Sequence, residues 1–147
     1  MRGLLAAAAL ALATACSAPQ QAAAQASGDF SGTWAFQTQS YGSDQVGAVM
    51  SGAAILTSGA TQGHYDVRLL AHELLVNRDT GQSRMLTARE TCTGVDDGAQ
   101  VTITCQMAEP LEGYSPDDFV LQRGEADELV GVLGSNANSQ VTFTRLR

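Results

Sequence analysis

The chain has 147 residues, a formal net charge of −7 at pH 7 and no lysine among its 8 basic residues. Its length corresponds to one domain with a single hydrophobic core. The acidic balance argues against nucleic acid as a partner and against electrostatic docking on an anionic membrane.

The first segment of the chain has the pattern of an export signal. Arg2 supplies a positive charge, residues 4–15 form a short apolar run, and Cys16 follows the small residues Ala-Thr-Ala. A helix needs about 20 apolar residues to cross a bilayer, so this run is too short to span one. Residues 1–15 are therefore predicted to be a signal peptide.

The Ala-Thr-Ala-Cys sequence at the end of this segment resembles the lipobox of bacterial lipoproteins. In that family the cysteine is lipidated and becomes the new N-terminus, which implies a membrane anchor on Cys16. By the same resemblance, Ser17 after the cysteine implies an outer-membrane lipoprotein that faces the periplasm, in a host with two membranes. The sequence Ala24-Gln25-Ala26 offers a second cleavage pattern, so a soluble periplasmic or secreted protein is the alternative.

The residues after the cysteine predict a linker. Residues 17–27 contain no charged and no large apolar side chain, and such a composition cannot bury a core. We therefore divide the chain into a signal peptide (1–15), a lipidated cysteine with its flexible linker (16–28) and a β-barrel domain (29–147).

From residue 29 onward the sequence is strand-like. Apolar and polar residues alternate in short runs, and clusters of Gly, Asn, Asp and Ser separate the runs. The predicted strands are 34–39, 51–57, 64–71, 83–93, 101–107, 119–123, 128–133 and 141–145, with 74–77 as either a strand or a short helix. This rhythm predicts an all-β fold, a small antiparallel up-and-down barrel of about eight strands, with a β-sandwich as the alternative.

Cys92 and Cys105 are predicted to form a disulfide within one hairpin. An exported domain meets an oxidising compartment, and Asp97-Gly98 between the cysteines is typical of a hairpin turn. The hairpin would place both cysteines on neighbouring antiparallel strands at about the same level. Because they lack a C-x-x-C spacing and nearby histidines, they do not predict a metal site.

The first and last predicted strands resemble those of the calycins, which include lipocalins, fatty-acid-binding proteins and avidins. Calycins begin their barrel with a G-x-W strand, here Gly32-Thr33-Trp34. In lipocalin-like members an arginine of the last strand packs over that tryptophan, and Arg145 occupies this place. The resemblance implies a barrel closed by Trp34 and Arg145, with its first and last strands paired. Avidins hold biotin with several tryptophans, whereas this chain has one, so biotin is not expected.

The sequence offers few residues for chemistry. His64 and His72 share one face of a predicted strand with Glu73 opposite, and without a third ligand on their face they are expected to be surface residues. The acidic pairs Asp96-Asp97 and Asp117-Asp118 lack the spaced oxygens of a calcium loop and are attributed to turns. The chain has neither a G-x-S-x-G elbow nor a phosphate-binding glycine loop. We therefore expect no enzyme activity, no cofactor and no metal.

The sequence thus predicts a non-catalytic lipoprotein of the cell envelope. Its barrel would bind a small apolar ligand inside or a protein partner at its mouth. One alternative is a lipocalin-like periplasmic protease inhibitor whose linker, residues 17–27, enters the protease. Another is a hydrolase with no marked catalytic residues. The space inside the barrel separates the first two possibilities, since a filled interior favours binding at the surface.

Overall fold

The computed structural model describes residues 29–135 and 138–147. Cys16, the predicted signal peptide and the whole of the linker lie outside these residues. In the described part, no helix is long and apolar enough to span a bilayer. Its elements are all β-strands, as predicted: β1 (Gly32–Thr38), β2 (Tyr41–Gly42), β3 (Val46–Ser58), β4 (His64–Asn77), β5 (Ser83–Asp96), β6 (Gln100–Met107), β7 (Asp118–Arg123), β8 (Glu128–Leu133) and β9 (Ser139–Arg145).

Eight of these strands form a closed antiparallel barrel. From β3 to β9 each strand pairs with the next one in the chain, and β1 pairs with both β3 and β9. The two-residue strand β2 pairs with the start of β3 beside β1. The up-and-down barrel predicted from the sequence is therefore confirmed, and the sandwich alternative is wrong.

Strands β3, β4 and β5 extend furthest beyond the ranges that the sequence pattern predicted. β4 continues through residues 74–77, where a short helix was the alternative, because this stretch pairs with both β3 and β5. β6 pairs with β5 only from Glu90 onward. The β4–β5 hairpin therefore extends beyond β6. The segment of residues 108–117 between β6 and β7, which we call the strap, lies at this end of the barrel.

The barrel interior is filled with side chains. The rings of Phe36, Phe119 and Phe143 pack against one another with centroids 5.0–5.7 Å apart. Trp34 and Met50 are also fully buried. An eight-stranded barrel has an interior of about the size that side chains can fill, and here large aromatic groups occupy it.

Cys92 and Cys105 lie opposite each other in the register of β5 and β6, with a Cα–Cα distance of 4.0 Å. Both face the interior and are 7% and 5% exposed, respectively. They form the predicted disulfide, which is therefore confirmed. In the chain-entropy model, a bridge over a loop of this length stabilises the fold by about 3 kcal/mol.

Trp34 and Arg145 lie together at the other end of the barrel, which we call the Trp34 end. They are partners in the β1–β9 register, and the guanidinium carbon lies 4.2 Å from the centroid of the Trp34 ring. Arg145 donates hydrogen bonds to the backbone carbonyls of Ser31 and Asp29. A Cβ atom on Gly32 would collide with this guanidinium, so only glycine fits there. The contact expected from the sequence between Trp34 and Arg145 is present.

Candidate functional site

A cluster of buried acids and tyrosines lies at the strap end of the barrel. Glu73, Glu90 and Asp117 are 7%, 2% and 0% exposed. Carboxyl groups are almost never buried so completely unless they are paired or hydrogen-bonded. We call this group the acid–tyrosine cluster, and its members are Tyr41, Glu73, Glu90, Tyr114 and Asp117.

Four parts of the chain bring the acid–tyrosine cluster together. Glu73 lies on β4 and Glu90 on β5, and both take inward positions in strands whose other inward residues are mostly apolar. Asp117 is the last residue of the strap, directly before β7, and Tyr114 lies three residues earlier. Tyr41 enters from β2.

Hydrogen bonds link the members in two groups. The Tyr41 hydroxyl donates to Glu73 Oε1 at 2.5 Å, and the Tyr114 hydroxyl donates to Asp117 Oδ2 at 2.6 Å. The Asp117 backbone N–H donates to Glu90 Oε2 at 3.2 Å. Ser135, in the β8–β9 loop, donates to Asp117 Oδ1 at 3.3 Å. The short hydrogen bonds from tyrosine to a carboxylate are of the strong, charge-assisted type.

Glu90 and Asp117 form a carboxyl pair within the cluster. Burial and, after it, the negative charge of Asp117 raise the pKa of Glu90 to about 8, although the hydrogen bond from the Asp117 backbone N–H lowers it. Burial also raises the pKa of Asp117, to about 6, although the hydrogen bonds from Tyr114 and Ser135 lower it. Of the two carboxyl groups, Glu90 is therefore the one that keeps its proton to the higher pH.

The two tyrosines of the cluster are neutral donors. Burial raises the pKa of Tyr41, and its hydrogen bond to Glu73 raises it further. Burial likewise raises the pKa of Tyr114, and the charge of Asp117 adds to the rise. Both hydroxyl groups therefore keep their protons and stabilise the carboxylates beside them.

The cluster does not form a metal centre. In residues 29–135 and 138–147, one set of three metal-ligating side chains has its ligand atoms within 4.8 Å of one another, and it consists of Glu90, Cys92 and Cys105. The two sulfurs are bonded to each other, so they cannot act as thiolate ligands while the disulfide is intact.

The three carboxyl groups of the acid–tyrosine cluster are buried, and its two tyrosines are partly buried. We find four depressions on the described part of the barrel, and no member of the cluster lines any of them. Two depressions lie among the loops of the Trp34 end, and a third lies between β5 and the strap. Buried carboxyl groups of this kind can bind and release a proton.

The fourth depression lies on the outer wall, across β7, β8, β9 and β1, and has a volume of about 620 Å³. None of the residues that line it is charged, although the chain has 8 basic and 15 acidic residues. Gln39 donates to Gln140 across its rim at 3.0 Å. We call it the glutamine depression, and it is lined by Gln37, Thr38, Gln39, Gln122, Val130, Gly131, Val132, Gln140, Val141 and Thr142.

The structure separates the residues that the sequence analysis singled out for chemistry. His64 is exposed, and His72 shares a hydrogen bond with the Thr87 hydroxyl at 3.0 Å on the outer wall. The side chains of Asp96 and Asp97 accept backbone N–H groups in the β5–β6 turn, as predicted. The assignment of Asp117 to turn chemistry is wrong, since its side chain is fully buried in the cluster.

Two members of the acid–tyrosine cluster could have been recognised from the strand pattern of the sequence. Glu73 is in phase with Leu69 and Ala71, and Glu90 is in phase with Ala88 and Cys92, so both acids occupy positions that alternation assigns to the interior. The sequence analysis noted only that Glu73 lies opposite the two histidines. Asp117 and Tyr114 lie on an irregular segment, where alternation gives no information about burial.

Comparisons with protein-family models, with curated proteins and with solved structures find no match to this chain. A functional proposal for this protein therefore rests on its own residues and their geometry.

Proposed function

We propose that the protein is a non-catalytic lipoprotein of the bacterial outer membrane, facing the periplasm, that binds a protein partner on the outer wall of its barrel. The observation that carries this proposal is the filled interior. Three packed phenylalanines occupy the space in which a lipocalin-like barrel would hold a small ligand. With the interior occupied, the wall and the ends remain for binding.

The glutamine depression is the part of the wall that best suits a protein partner. Its volume of about 620 Å³ is within the range of binding pockets, about 300–1,000 Å³. Glutamine amides both donate and accept hydrogen bonds, and Val130 and Val132 add apolar surface. The centres of protein interfaces are depleted in charged residues, as this depression is. An uncharged loop of another protein is therefore the proposed occupant.

The membrane anchor is the second part of the proposal. Lipid on Cys16 and the uncharged linker behind it would hold the barrel near the membrane and leave its wall accessible. Mass spectrometry of the membrane fraction tests this part. An unmodified mature chain that begins at Ser27 would contradict it and support simple secretion.

Site-specific photo-crosslinking in living cells tests the binding surface. A photoreactive amino acid replaces Gln122 or Gln140 in the depression, and the matched control carries it at Gln106, an exposed glutamine of β6. We expect one and the same protein to be captured from both depression positions and not from the control. Equal capture from all three positions, or none, would contradict the proposal. Saturable binding of an apolar fluorescent dye inside the folded barrel would favour a small ligand instead.

A hydrolase has one observation in its favour, since Glu90 and Asp117 are a carboxyl pair with unequal pKa values. Their burial, with no depression reaching them, favours a structural role for the pair. The protease-inhibitor alternative depends on residues 17–27. Deletion of that segment would abolish inhibition of a protease while leaving capture at the glutamine depression unchanged.

A further inference from the structure

The strap closes one end of the barrel, where the Ala108 backbone N–H donates to the Arg89 carbonyl at 2.9 Å and the Tyr114 hydroxyl lies 3.9 Å from Met50 Sδ. Leu111 and Tyr114 pack against the core as partly buried residues. The end of the strap is fastened by the Asp117 backbone bond to Glu90 and by the Tyr114 and Ser135 hydroxyl groups on the Asp117 carboxylate. Asp117 therefore joins the strap to β5 and to the β8–β9 loop.

We propose that the strap is a lid, held shut by one proton shared between Glu90 and Asp117, and that loss of this proton opens the strap end of the barrel. This inference does not depend on the identity or existence of a partner at the glutamine depression. It assigns a conformational role to a cluster that the proposed function leaves unused.

The position of the Glu90 carboxyl group favours a bound proton. Its Oε1 atom is buried and has no hydrogen-bond donor in the described part of the chain. An acceptor atom so placed leaves a buried polar group unsatisfied unless the carboxyl group carries a proton of its own. A protonated Glu90 becomes a donor, and the Asp117 carboxyl group beside it is an acceptor.

The charges that act on the Glu90–Asp117 pair are those of neighbouring acids. The charges that act on Glu90 are those of Asp117, on the strap, and Asp118, on β7. Glu73, on β4, acts on Asp117 in turn, while the neutral hydroxyl groups of Tyr114 and Tyr41 complete the cluster. A second negative charge on the pair would therefore meet repulsion from acids on three elements.

The backbone of Glu90 is held more firmly than that of Asp117. Glu90 lies in a strand that pairs with β4 and with β6 at that residue. Asp117 ends an irregular segment, in which the one internal backbone hydrogen bond we find runs from Tyr114 to Leu111 at 3.2 Å. Displacement of the strap would hydrate both charges without breaking the barrel, so the strap is the part that moves.

The direction of the pH effect follows from the burial of the pair. Burial raises the pKa of Glu90 in the closed state, so the closed strap binds the proton more tightly than an open strap would. The lid is therefore most stable at acidic pH, and its stability is lost as the pH rises toward about 8.

Hydrogen exchange of the mature chain at pH 6 and pH 9, corrected for intrinsic rates, tests the lid. In the wild type we expect the amides of Tyr114 and Asp117 to lose protection at least about tenfold at pH 9, while amides of β3 and β4 keep theirs. Glu90→Gln should keep the strap protected at both pH values, since its neutral amide donates to Asp117 without titrating. Glu112→Gln, which alters an exposed acid of the strap, is the matched control and should behave as the wild type does.

Equal strap protection at both pH values in the wild type would overturn the lid, and so would a pH response that survives in Glu90→Gln. A measurement on the wild type alone covers the case in which that variant does not fold. Carbon-detected NMR of the glutamate carboxyl groups should find one that titrates between pH 7 and 9, together with the strap amide shifts. If no carboxyl group titrates with the strap, the lid is refuted.

Discussion

The two ends of the barrel are closed by opposite kinds of polar group. At the Trp34 end, the guanidinium of Arg145 lies over an indole ring and donates to backbone carbonyls. This cation keeps its charge at every physiological pH. At the strap end, the closing groups are the buried carboxyl groups of Glu90 and Asp117, which in our proposal share one proton. Closure by a fixed charge does not change with pH, whereas closure by a titratable pair depends on the pH.

The partners of the two groups explain why each arrangement is stable. The carbonyls of Ser31 and Asp29 are acceptors, which a cation needs, and the chain before β1 supplies them. The ion pair with Asp127, at 3.9 Å, is partly exposed and adds little. At the strap end, Asp117 gains donors from Tyr114 and Ser135, while Glu90 Oε1 has none among residues 29–135 and 138–147. One buried acceptor without a donor makes this end sensitive to protonation.

The largest expected effect is at the Trp34 end. Trp34→Ala removes a fully buried ring and leaves Arg145 without its aromatic partner. We expect the free energy of unfolding to fall by about 3–5 kcal/mol, measured by urea denaturation. The loss should be the same at pH 6 and pH 8, because it comes from packing and from a contact with a guanidinium, a group that is always charged in proteins. A loss that changes with pH would mean that the two ends are coupled.

The second-largest expected effect is a dependence of stability on pH, which should come from the strap end and not from the Trp34 end. The pKa of Glu90 is raised from its ordinary value of 4.5 to about 8 on folding, so the folded chain binds more protons between these values. The contribution of Glu90 to stability is therefore fully present below pH 4.5 and is lost as the pH rises to about 8. The slope for one proton is at most about 1.4 kcal/mol per pH unit.

Urea denaturation of Glu90→Gln at half-unit pH steps measures this slope. We expect the decline between pH 5 and 8 to be reduced or absent in the variant, and to persist in Arg145→Ala. If the wild type is equally stable at pH 5.5 and pH 7.5, the carboxyl pair does not keep its proton in the folded state.

Arg145→Ala should destabilise the barrel less than Trp34→Ala does. The cation over the ring contributes about 0.5–2 kcal/mol, and the two carbonyl groups regain water when the guanidinium leaves. We therefore expect a loss of about 1–2 kcal/mol with no dependence on pH between 6 and 8. Arg145→Lys is the informative control, since it keeps the charge and loses the planar fork. Full stability in both variants would remove the closing role of this residue.

The strand pattern of the sequence was sufficient to predict the barrel and its disulfide, and the reason is physical. Alternation fixes which residues of a strand face inward, and a hairpin turn fixes which strands are neighbours. Cys92 and Cys105 lie on two such strands, so their pairing could be inferred before the register was known. Trp34 and Arg145 lie on the first and last strands, which no hairpin joins, and their contact was expected from the calycin resemblance. The register adds that the disulfide lies inside the barrel.

The strap end could not be inferred in the same way. Its members come from β2, β4, β5 and an irregular segment, and no local pattern specifies how that segment folds over the barrel. Asp117 follows Ser115-Pro116, a sequence typical of a solvent-exposed turn. Burial of this carboxylate depends on donors 3 residues before it and 18 residues after it. Only the two in-phase acids, Glu73 and Glu90, could have been identified from the sequence.

The smallest expected effect concerns the two hydroxyl groups that donate hydrogen bonds to the Asp117 carboxylate. Ser135 is 3.3 Å from Oδ1, whereas Tyr114 is 2.6 Å from Oδ2, so the Ser135 bond is the weaker one. Ser135→Ala should cost about 0.5–1 kcal/mol at pH 7, and Tyr114→Phe should cost more.

Because the Ser135 hydroxyl lowers the pKa of Asp117, its loss should make this carboxyl group harder to ionise. The pair would then hold its proton to a higher pH, and strap exchange in Ser135→Ala should begin at a higher pH than in the wild type. An onset at lower pH would mean that Asp117 is not the acceptor of the shared proton, and the conditional closure of this end would need another explanation.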